Sequence, residues 1–127
     1  MDHDYGAGWA EIDGDGALAV ITWGSSTRPV REAVDRLRND GVSVRLIALR
    51  LLWPARPMRM AQALSGARRA LVIEQNHSGQ LYRLLRAEYA FGMETFAIHR
   101  PGPLPLRPGE LADCILSHHP DREEMPA

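Results

Sequence analysis

Residues 17–49 read ALAVITWGSSTRPVREAVDRLRNDGVSVRLIAL, an apolar run followed by an amphipathic segment and a second apolar run. Ala17 to Trp23 is nearly free of polar residues and includes β-branched side chains, which is typical of a strand covered on both faces. Arg28 to Asn39 has apolar residues at helical spacing, and Gly41 is placed to end the helix in a left-handed conformation. Val42 to Leu49 is the next predicted strand. This strand–helix–strand order predicts parallel pairing with a right-handed crossover.

The rest of the chain continues the alternation of strands and helices. We expect a short strand from Trp9 to Ile12 and a hairpin turn from Asp13 to Gly16, because Asp and Gly tolerate a positive φ. Beyond residue 49 the expected elements are a helix from Pro57 to Leu64, a strand from Arg69 to Glu74, a helix from Ser78 to about Phe91, a strand from Thr95 to Ile98 and a helix from Glu110 to about His118. The sequence therefore predicts a three-layer α/β/α sandwich, with residues 1–127 forming one domain and an ordered core from about residue 9 to residue 118.

The composition is that of an ordinary soluble globular protein. The chain has 127 residues, 45% hydrophobic and 24% charged, with a formal net charge of −1. It therefore lacks the positive electrostatic field that would attract nucleic acids or anionic membranes. No apolar run approaches the ~20 residues that cross a bilayer. We expect no nucleic-acid partner, no membrane partner and a cytoplasmic location.

Several catalytic and metal chemistries are excluded by residue type. All 15 Lys+Arg residues are arginine, so there is no Schiff-base or P-loop lysine. Cys114 is the only cysteine, which excludes an intramolecular disulfide and a cysteine-ligated iron–sulfur cluster within this chain. The run Gly14 to Gly16 copies the start of the thiamine-diphosphate and Mg²⁺ motif, but the required Asn-Asn pair is missing. His118 and His119 point in different directions on a helix and are interpreted as surface histidines. We expect no catalytic residue, bound cofactor or metal on this domain.

The first candidate site is the loop Gly24-Ser25-Ser26, which joins the first long strand to its helix. Ligands of open parallel sheets bind beyond the carboxyl ends of the strands, and a helix N-terminus favours an anion. The same residues also suit a structural role, in which Ser26 or Thr27 caps the helix. The sequence leaves an anion site and simple capping as alternatives.

The second candidate site is the polar segment that follows the strand ending at Ile73. It reads Glu74-Gln75-Asn76-His77-Ser78-Gly79-Gln80, with a carboxylate, amides and an imidazole directly after apolar residues. Such groups can orient a ligand, bind backbone groups across a subunit interface, or simply build a loop. From the residues alone these alternatives stay open. The candidate residues in this segment are Glu74, Gln75, Asn76, Ser78 and Gly79.

Four stretches together resemble one enzyme family. They are AVITWGSS (19–26), REAVDRLR with DGV (31–38 and 40–42), LIALRLLWP (46–54), and LVIEQNHSGQL with LLR (71–81 and 84–86). In this order they are similar to the C-terminal domain of the α subunit of 2-oxoacid:ferredoxin oxidoreductases, over roughly Leu18 to Leu111. More distantly they resemble the C-terminal domain of transketolase. One departure is the stretch from His99 to Leu111. It is only loosely similar to the short motif that follows the last strand in the family.

The resemblance implies a fold, an activity and a set of partners. It implies a five-stranded, mostly parallel sheet whose first strand is antiparallel. It implies a complex that oxidatively decarboxylates a 2-oxoacid, of the 2-oxoglutarate type, to its acyl-CoA and reduces ferredoxin. Thiamine diphosphate, Mg²⁺ and the iron–sulfur cluster would then be held by other domains or by a thiamine-diphosphate-binding β subunit. The partners would be that β subunit and the remaining α-subunit domains, with ferredoxin and coenzyme A acting on the whole complex.

The resemblance also implies roles for the polar segment. Glu74 would accept hydrogen bonds from a neighbouring chain, Gln75 and Asn76 would bridge backbone groups, and Gly79 would allow close approach at a helix start. The family's upstream pyrimidine-binding domain is missing from this sequence, so we expect an excised domain, a split gene or a degraded paralogue. The expected role is assembly rather than chemistry. Two alternatives remain: a free-standing anion- or nucleotide-binding module that uses the Gly24–Ser26 loop, and a structural homodimerising domain.

Overall fold

The computed structural model describes residues 9–50, 57–74, 82–83, 85–86, 89, 92–99 and 107–120. The strands are β1 (Ala10–Asp13), β2 (Leu18–Trp23), β3 (Val44–Leu49), β4 (Arg69–Glu74) and β5 (Glu94–His99). The helices are α1 (Thr27–Asn39), α2 (Pro57–Ala63) and α3 (Pro108–Ser117), and Tyr82, Arg83, Leu85 and Arg86 are also helical. None of the described helices is long and apolar enough to cross a membrane.

The five strands form one sheet in the order β1-β3-β2-β4-β5. The four strands from β2 to β5 are parallel, and β1 runs antiparallel to β3. On the central strand β2, Ile21 lies between Ile47 of β3 and Val72 of β4. All three side chains are buried, which stabilises the fold by about 1.5–3 kcal/mol for each aliphatic side chain. The predicted mixed sheet is confirmed.

Helices cover both faces of the sheet, as the three-layer prediction requires. On one face, the buried stripe of α1 packs with Leu111 and Ile115 of α3 against the sheet. On the other face, Met60 of α2, Leu64 and the helical residue Leu85 pack against the sheet. The three inner strands β2, β3 and β4 are buried over nearly their whole length because helices cover them on both faces.

The predicted hairpin between β1 and β2 is wrong, because β1 pairs with β3. The register places Ala10 opposite Leu49 and Asp13 opposite Leu46, so the connection to β2 passes over the start of β3. At Gly16 this passage is very close: a Cβ atom there would lie 2.6 Å from backbone atoms of Ser43 and Val44. Asp and Gly favour a tight turn, but they do not determine whether the two strands that the turn connects are paired in the sheet.

Two arginines of α1 bind the edge strand rather than the acidic residues of their own helix. Arg38 Nη1 donates to the Asp13 carboxylate at 2.8 Å, and Nη2 donates to the carbonyls of Asp13 at 2.7 Å and Val44 at 2.9 Å. Arg31 donates to the Glu11 carboxylate. These two arginines therefore hold β1 against α1.

The interpretation of His118 and His119 as surface residues is also wrong. His119 is 4% exposed, and its Nε2 lies 2.8 Å from the Ser43 carbonyl oxygen. His118 is half-buried, with its ring centroid 5.3 Å from that of Phe96. After α3 ends, the chain turns back onto the amino edge of the sheet. Both imidazoles therefore take part in packing.

Gly16→Ala will destabilise the domain, because the new Cβ would collide with backbone atoms that cannot rotate away. We expect a loss of about 1–3 kcal/mol in the free energy of unfolding, measured by urea denaturation. Gly92→Ala is the matched control, since a Cβ at Gly92 has nothing within 4 Å and its φ is not positive. Equal stability of the two variants would contradict the close passage of the β1–β2 connection over β3.

The thiol of Cys114 will react slowly in the native state. Cys114 lies half-buried on α3, and burial raises the pKa of its thiol, which lowers the thiolate fraction at neutral pH. We expect a disulfide reagent to react several-fold more slowly with the native chain than with the chain in denaturant. The native rate should also rise to its plateau at a higher pH than the rate of the unfolded chain. Coincident pH profiles of the native and unfolded chains would show that burial does not raise the pKa of this thiol.

Candidate functional site

The ends of β2 and β4 lie side by side at the carboxyl edge of the sheet. Thr22 lies opposite Ile73, and its buried hydroxyl donates to the Ile73 carbonyl oxygen at 3.0 Å. The next residues on the two strands are Trp23 and Glu74, which are therefore neighbours at this edge. The structure thus brings the start of the Gly24 loop next to the start of the polar segment, as the general rule for parallel sheets predicts.

Glu74 is buried and only partly satisfied. The side chain is 6% exposed, and its Oε2 accepts a hydrogen bond from the Tyr82 backbone N–H at 3.0 Å. Its Oε1 is also buried and has no hydrogen-bond partner within the described part of the chain. A buried acceptor without a donor costs about 1–3 kcal/mol, and more when the group is charged. Oε1 therefore requires a donor from outside the described residues.

The other candidate residues of the polar segment are Gln75, Asn76, Ser78 and Gly79. All four lie outside the described residues, as do His77 and Gln80. Their proposed roles, and the predicted helix cap at Ser78, stay predictions. Tyr82 is helical and donates to Glu74, which agrees with a helix following this segment.

The Gly24–Ser26 loop forms a single 3₁₀ turn before α1. Gly24 has φ +67°, and the backbone N–H of Thr27 donates to its carbonyl oxygen. Ser26 is buried at the N-cap of α1 but makes no side-chain cap hydrogen bond, and Thr27 already belongs to the helix. Ser26 thus occupies the predicted N-cap position, without the side-chain hydrogen bond that such a cap usually makes. The side chain of Ser25 lies outside the described residues.

A cavity of about 560 Å³ opens beside this turn. It is lined by Gly24, Thr27, Arg28 and Arg31. Arg28 is exposed and has no ion-pair partner within the ranges that the structure describes. The cavity is therefore cationic and lies at a helix N-terminus, where an anion is favoured.

Arg31 is the second cationic residue of this cavity and is engaged by the edge strand. The hydrogen bond that it donates lowers the pKa of the Glu11 carboxyl and raises the pKa of the Arg31 guanidinium. Arg50 Nη2 lies 3.9 Å from the other oxygen of Glu11. Glu11 therefore neutralises part of the positive charge at this edge, and Arg28 has no such counter-charge among the described residues.

Trp23 is a surface residue that the sequence did not identify. It closes an apolar run and was expected to be buried, yet 43% of its surface is exposed. Its position could have indicated this exposure. Trp23 is the last residue of β2 and directly precedes Gly24, so it lies at the end of the sheet, where the helices no longer cover the strands. An exposed tryptophan beside a buried, partly satisfied carboxylate is typical of a surface that another chain or domain covers.

Comparison with known proteins places this fold and site in a family. Residues 17–100 match the family described as pyruvate:ferredoxin oxidoreductase core domain II. The chain belongs to this core domain II family. The match contains both predicted site segments and four of the five strands.

The relatives of this core domain II are α subunits of 2-oxoacid:ferredoxin oxidoreductases. The chain is 32% identical over 103 residues to 2-oxoacid:ferredoxin oxidoreductase 2, subunit alpha, of Aeropyrum pernix, covering 81% of this chain and 16% of the relative. It is 30% identical over 114 residues to 2-oxoglutarate synthase subunit KorA of Methanothermobacter marburgensis, covering 89% of this chain and 29% of the relative. The predicted resemblance is confirmed. The chain thus spans less than a third of the length of either relative.

A solved structure shares both the fold and the family. The 2-oxoglutarate:ferredoxin oxidoreductase of Magnetococcus marinus, with 2-oxoglutarate, coenzyme A and succinyl-CoA bound, superposes with a TM-score of 0.76 at 29% identity. The overlap covers 85% of this chain and 19% of the Magnetococcus chain. A split-gene transketolase shares the fold alone, with a TM-score of 0.64 at 12% identity over 87% of this chain and 41% of its own.

The described residues do not fit the cofactors that this family implies. They contain no group of three or more His, Cys, Asp or Glu side chains able to hold a metal ion. The run Gly14 to Gly16 lies at the amino end of β3, away from the strand ends where Glu74 and Gly24 lie. No step involving thiamine diphosphate or a cluster is therefore assigned to these residues.

Glu11→Gln will make the stability of the domain less dependent on pH in the acid range. The lowered pKa means that Glu11 contributes stability above its unfolded pKa and loses it as the pH falls through the folded pKa. Because both partners are more than a third exposed, the loss at neutral pH should stay below about 1 kcal/mol. The measurement is the free energy of unfolding between about pH 3 and pH 6.

Asp113→Asn is the matched control for this experiment. Asp113 is exposed on α3 and has no ion pair within the described part of the chain. If Glu11→Gln and Asp113→Asn flatten the pH profile of the unfolding free energy equally, the Arg31–Glu11 pair makes no specific contribution to the pH dependence of stability.

Proposed function

We propose that this chain is the non-catalytic assembly domain of a thiamine-diphosphate-dependent 2-oxoacid:ferredoxin oxidoreductase α subunit. The complex would oxidatively decarboxylate a 2-oxoacid to its acyl-CoA and pass the electrons to ferredoxin. Two observations favour 2-oxoglutarate as the 2-oxoacid: the relative called 2-oxoglutarate synthase, and the Magnetococcus structure with 2-oxoglutarate and succinyl-CoA bound. Residues 1–127 would act as one domain of this complex, in the cytoplasm.

The observation that carries the proposal is Glu74 Oε1. It is a buried carboxylate oxygen without a donor in the described part of the chain, and it lies beside the exposed Trp23. Aromatic side chains dominate the binding energy of interfaces, and charge-assisted hydrogen bonds give them specificity. A partner that covers Trp23 and donates to Glu74 would satisfy both groups at once.

The partners would be the remaining α-subunit domains and the thiamine-diphosphate-binding β subunit. Gln75 and Asn76 would bridge backbone groups of the partner, and Gly79 would allow its close approach. Ser78 would begin the helix that contains Tyr82. Ferredoxin and coenzyme A would act at the level of the whole complex.

The chemistry of the described residues supports an assembly role. The only thiol is half-buried, and its raised pKa makes it a poor nucleophile. Thiamine diphosphate, Mg²⁺ and the iron–sulfur cluster would be held by the partners, and no cofactor by this domain. The isolated chain is therefore not expected to turn over a 2-oxoacid.

The test is association with the cognate subunits, which the neighbouring coding sequences would identify. Glu74→Gln keeps an acceptor for the Tyr82 N–H and replaces the unsatisfied oxygen with an amide group that cannot accept a hydrogen bond. We expect it to weaken association about tenfold or more, because a hydrogen bond to a charged group is lost. Trp23→Ala should weaken association at least as much. The measurement is a pull-down followed by titration calorimetry.

Glu32→Gln is the matched control, since Glu32 is an exposed carboxylate on α1, where Glu74 is a buried one. Circular dichroism would show that each variant keeps its fold. Association that is unchanged by both Glu74→Gln and Trp23→Ala would overturn the interface. The absence of any association with the cognate subunits would overturn the assembly role.

The Gly24 cavity favours a second candidate, a free-standing anion- or nucleotide-binding module. Its supporting observation is Arg28 at the start of α1, which has no ion-pair partner among the described residues. This function predicts thermal stabilisation by phosphate, nucleotides or coenzyme A. At ~100-fold excess over Kd the stabilisation is about 2.7 kcal/mol, and Arg28→Met should abolish it. A panel without a response would remove this candidate.

A further inference from the structure

A second cavity lies on the opposite face of the sheet, between β1 and α2. Its volume is about 300 Å³, and its lining includes Trp9, Ile12, Asp15, Arg45, Arg59 and Gln62. Arg59 and Gln62 are three residues apart on α2, so they lie on the same side of that helix. Among the described residues, this cavity shares no lining residue with the one beside Gly24.

The described lining carries a net positive charge. Arg59 is half-buried and has no ion-pair partner in the residue ranges given above. Arg45 is 4% exposed and donates only to carbonyl oxygens, those of Ala63 at 2.8 Å, Ser65 at 2.7 Å and Asp15 at 2.9 Å. Asp15 supplies the one acidic side chain among the described lining residues, and it is exposed. Two arginines against one aspartate leave a charge of +1.

Two buried donors of this lining also lack an acceptor. Trp9 Nε1 and Arg45 Nε have no hydrogen-bond partner in the described part of the chain. Native proteins rarely leave such N–H groups unsatisfied. Neither atom is exposed to water in this conformation, so an acceptor reaches them only if the indole or the guanidinium rotates. The exposed donors, from Arg59 and Gln62, would make the first contact.

The cavity also has an apolar wall. Ile12 is exposed on the face of β1 that carries α2, and the buried Trp9 lines the same cavity. A cavity lined by an exposed isoleucine and by an arginine without an ion pair among the described residues can contact a ligand that has both an apolar part and a negative charge.

We propose that this cavity binds a small organic carboxylate. The carboxylate would lie against Arg59 and Gln62, and its hydrocarbon part against Trp9 and Ile12. A net charge of +1 matches a monocarboxylate better than a phosphate dianion, and the apolar wall contributes only when the ligand carries carbon. The site goes beyond the assembly role and does not depend on it.

The test uses the purified 127-residue chain and three probes: hexanoate, its neutral analogue hexanol, and inorganic phosphate. The indole N–H signals of the three tryptophans report the position of binding by nuclear magnetic resonance. Trp23→Phe and Trp53→Phe each remove one signal and so identify the signal of Trp9. We expect hexanoate to bind most tightly of the three probes and to move the Trp9 signal, with the Trp23 signal unchanged.

Arg59→Met keeps the length of the side chain and removes its charge. It should weaken hexanoate binding about tenfold, because a charge-assisted contact is lost. Arg36→Met is the matched control, since Arg36 is exposed on α1 and is not among the described lining residues of either cavity. Its affinity for hexanoate should equal that of the unaltered chain.

Four results would each overturn the proposal. The first is no binding of hexanoate, and the second is phosphate or hexanol binding as tightly as hexanoate. The third is a Trp9 signal that does not move at saturation, and the fourth is a loss of binding in Arg36→Met equal to that in Arg59→Met. The assembly role is tested by separate variants, so either proposal can fail without the other.

Discussion

The central position of β2 is the constraint on which the rest of this structure depends. β2 pairs with β3 on one side and β4 on the other, both in parallel, and five of its six residues are buried. A strand in this position has no face exposed to water, so it requires helices on both sides and apolar side chains throughout. The order in which the remaining strands join follows from it: β1 completes one edge beside β3, and β5 completes the other beside β4.

The same constraint positions the candidate site at the carboxyl edge of the sheet. Because β2 and β4 are parallel neighbours in register, Trp23 and Glu74 end their strands together, and the loops that follow them leave the sheet at one place. Thr22 strengthens this arrangement by donating to the carbonyl of Ile73, directly before Glu74. The position of the site therefore follows from the pairing of two apolar strands, although the site itself is polar.

Arginine makes the cationic contacts that hold this fold together, since the chain has no lysine. Arg38 and Arg31 hold the edge strand β1 against α1. Arg45 connects the end of α2 to the turn before β2 through three carbonyl oxygens. A planar guanidinium with five donors suits these contacts better than an ammonium group would. Arg28 and Arg59 differ in having no partner in the described ranges, and both line cavities.

The sequence by itself determined the five strands, the three helices α1 to α3 and the family. Alternation of buried strands with amphipathic helices is a local pattern, and motifs such as LVIEQNHSGQL are read directly from the chain. The tertiary structure decided what depends on contacts between distant residues. It paired β1 with β3 instead of β2, buried His119 against Ser43, exposed Trp23 and left Glu74 Oε1 without a donor among the described residues. Local preferences cannot fix such features, because the two partners of each contact lie up to 76 residues apart and meet only when the sheet closes.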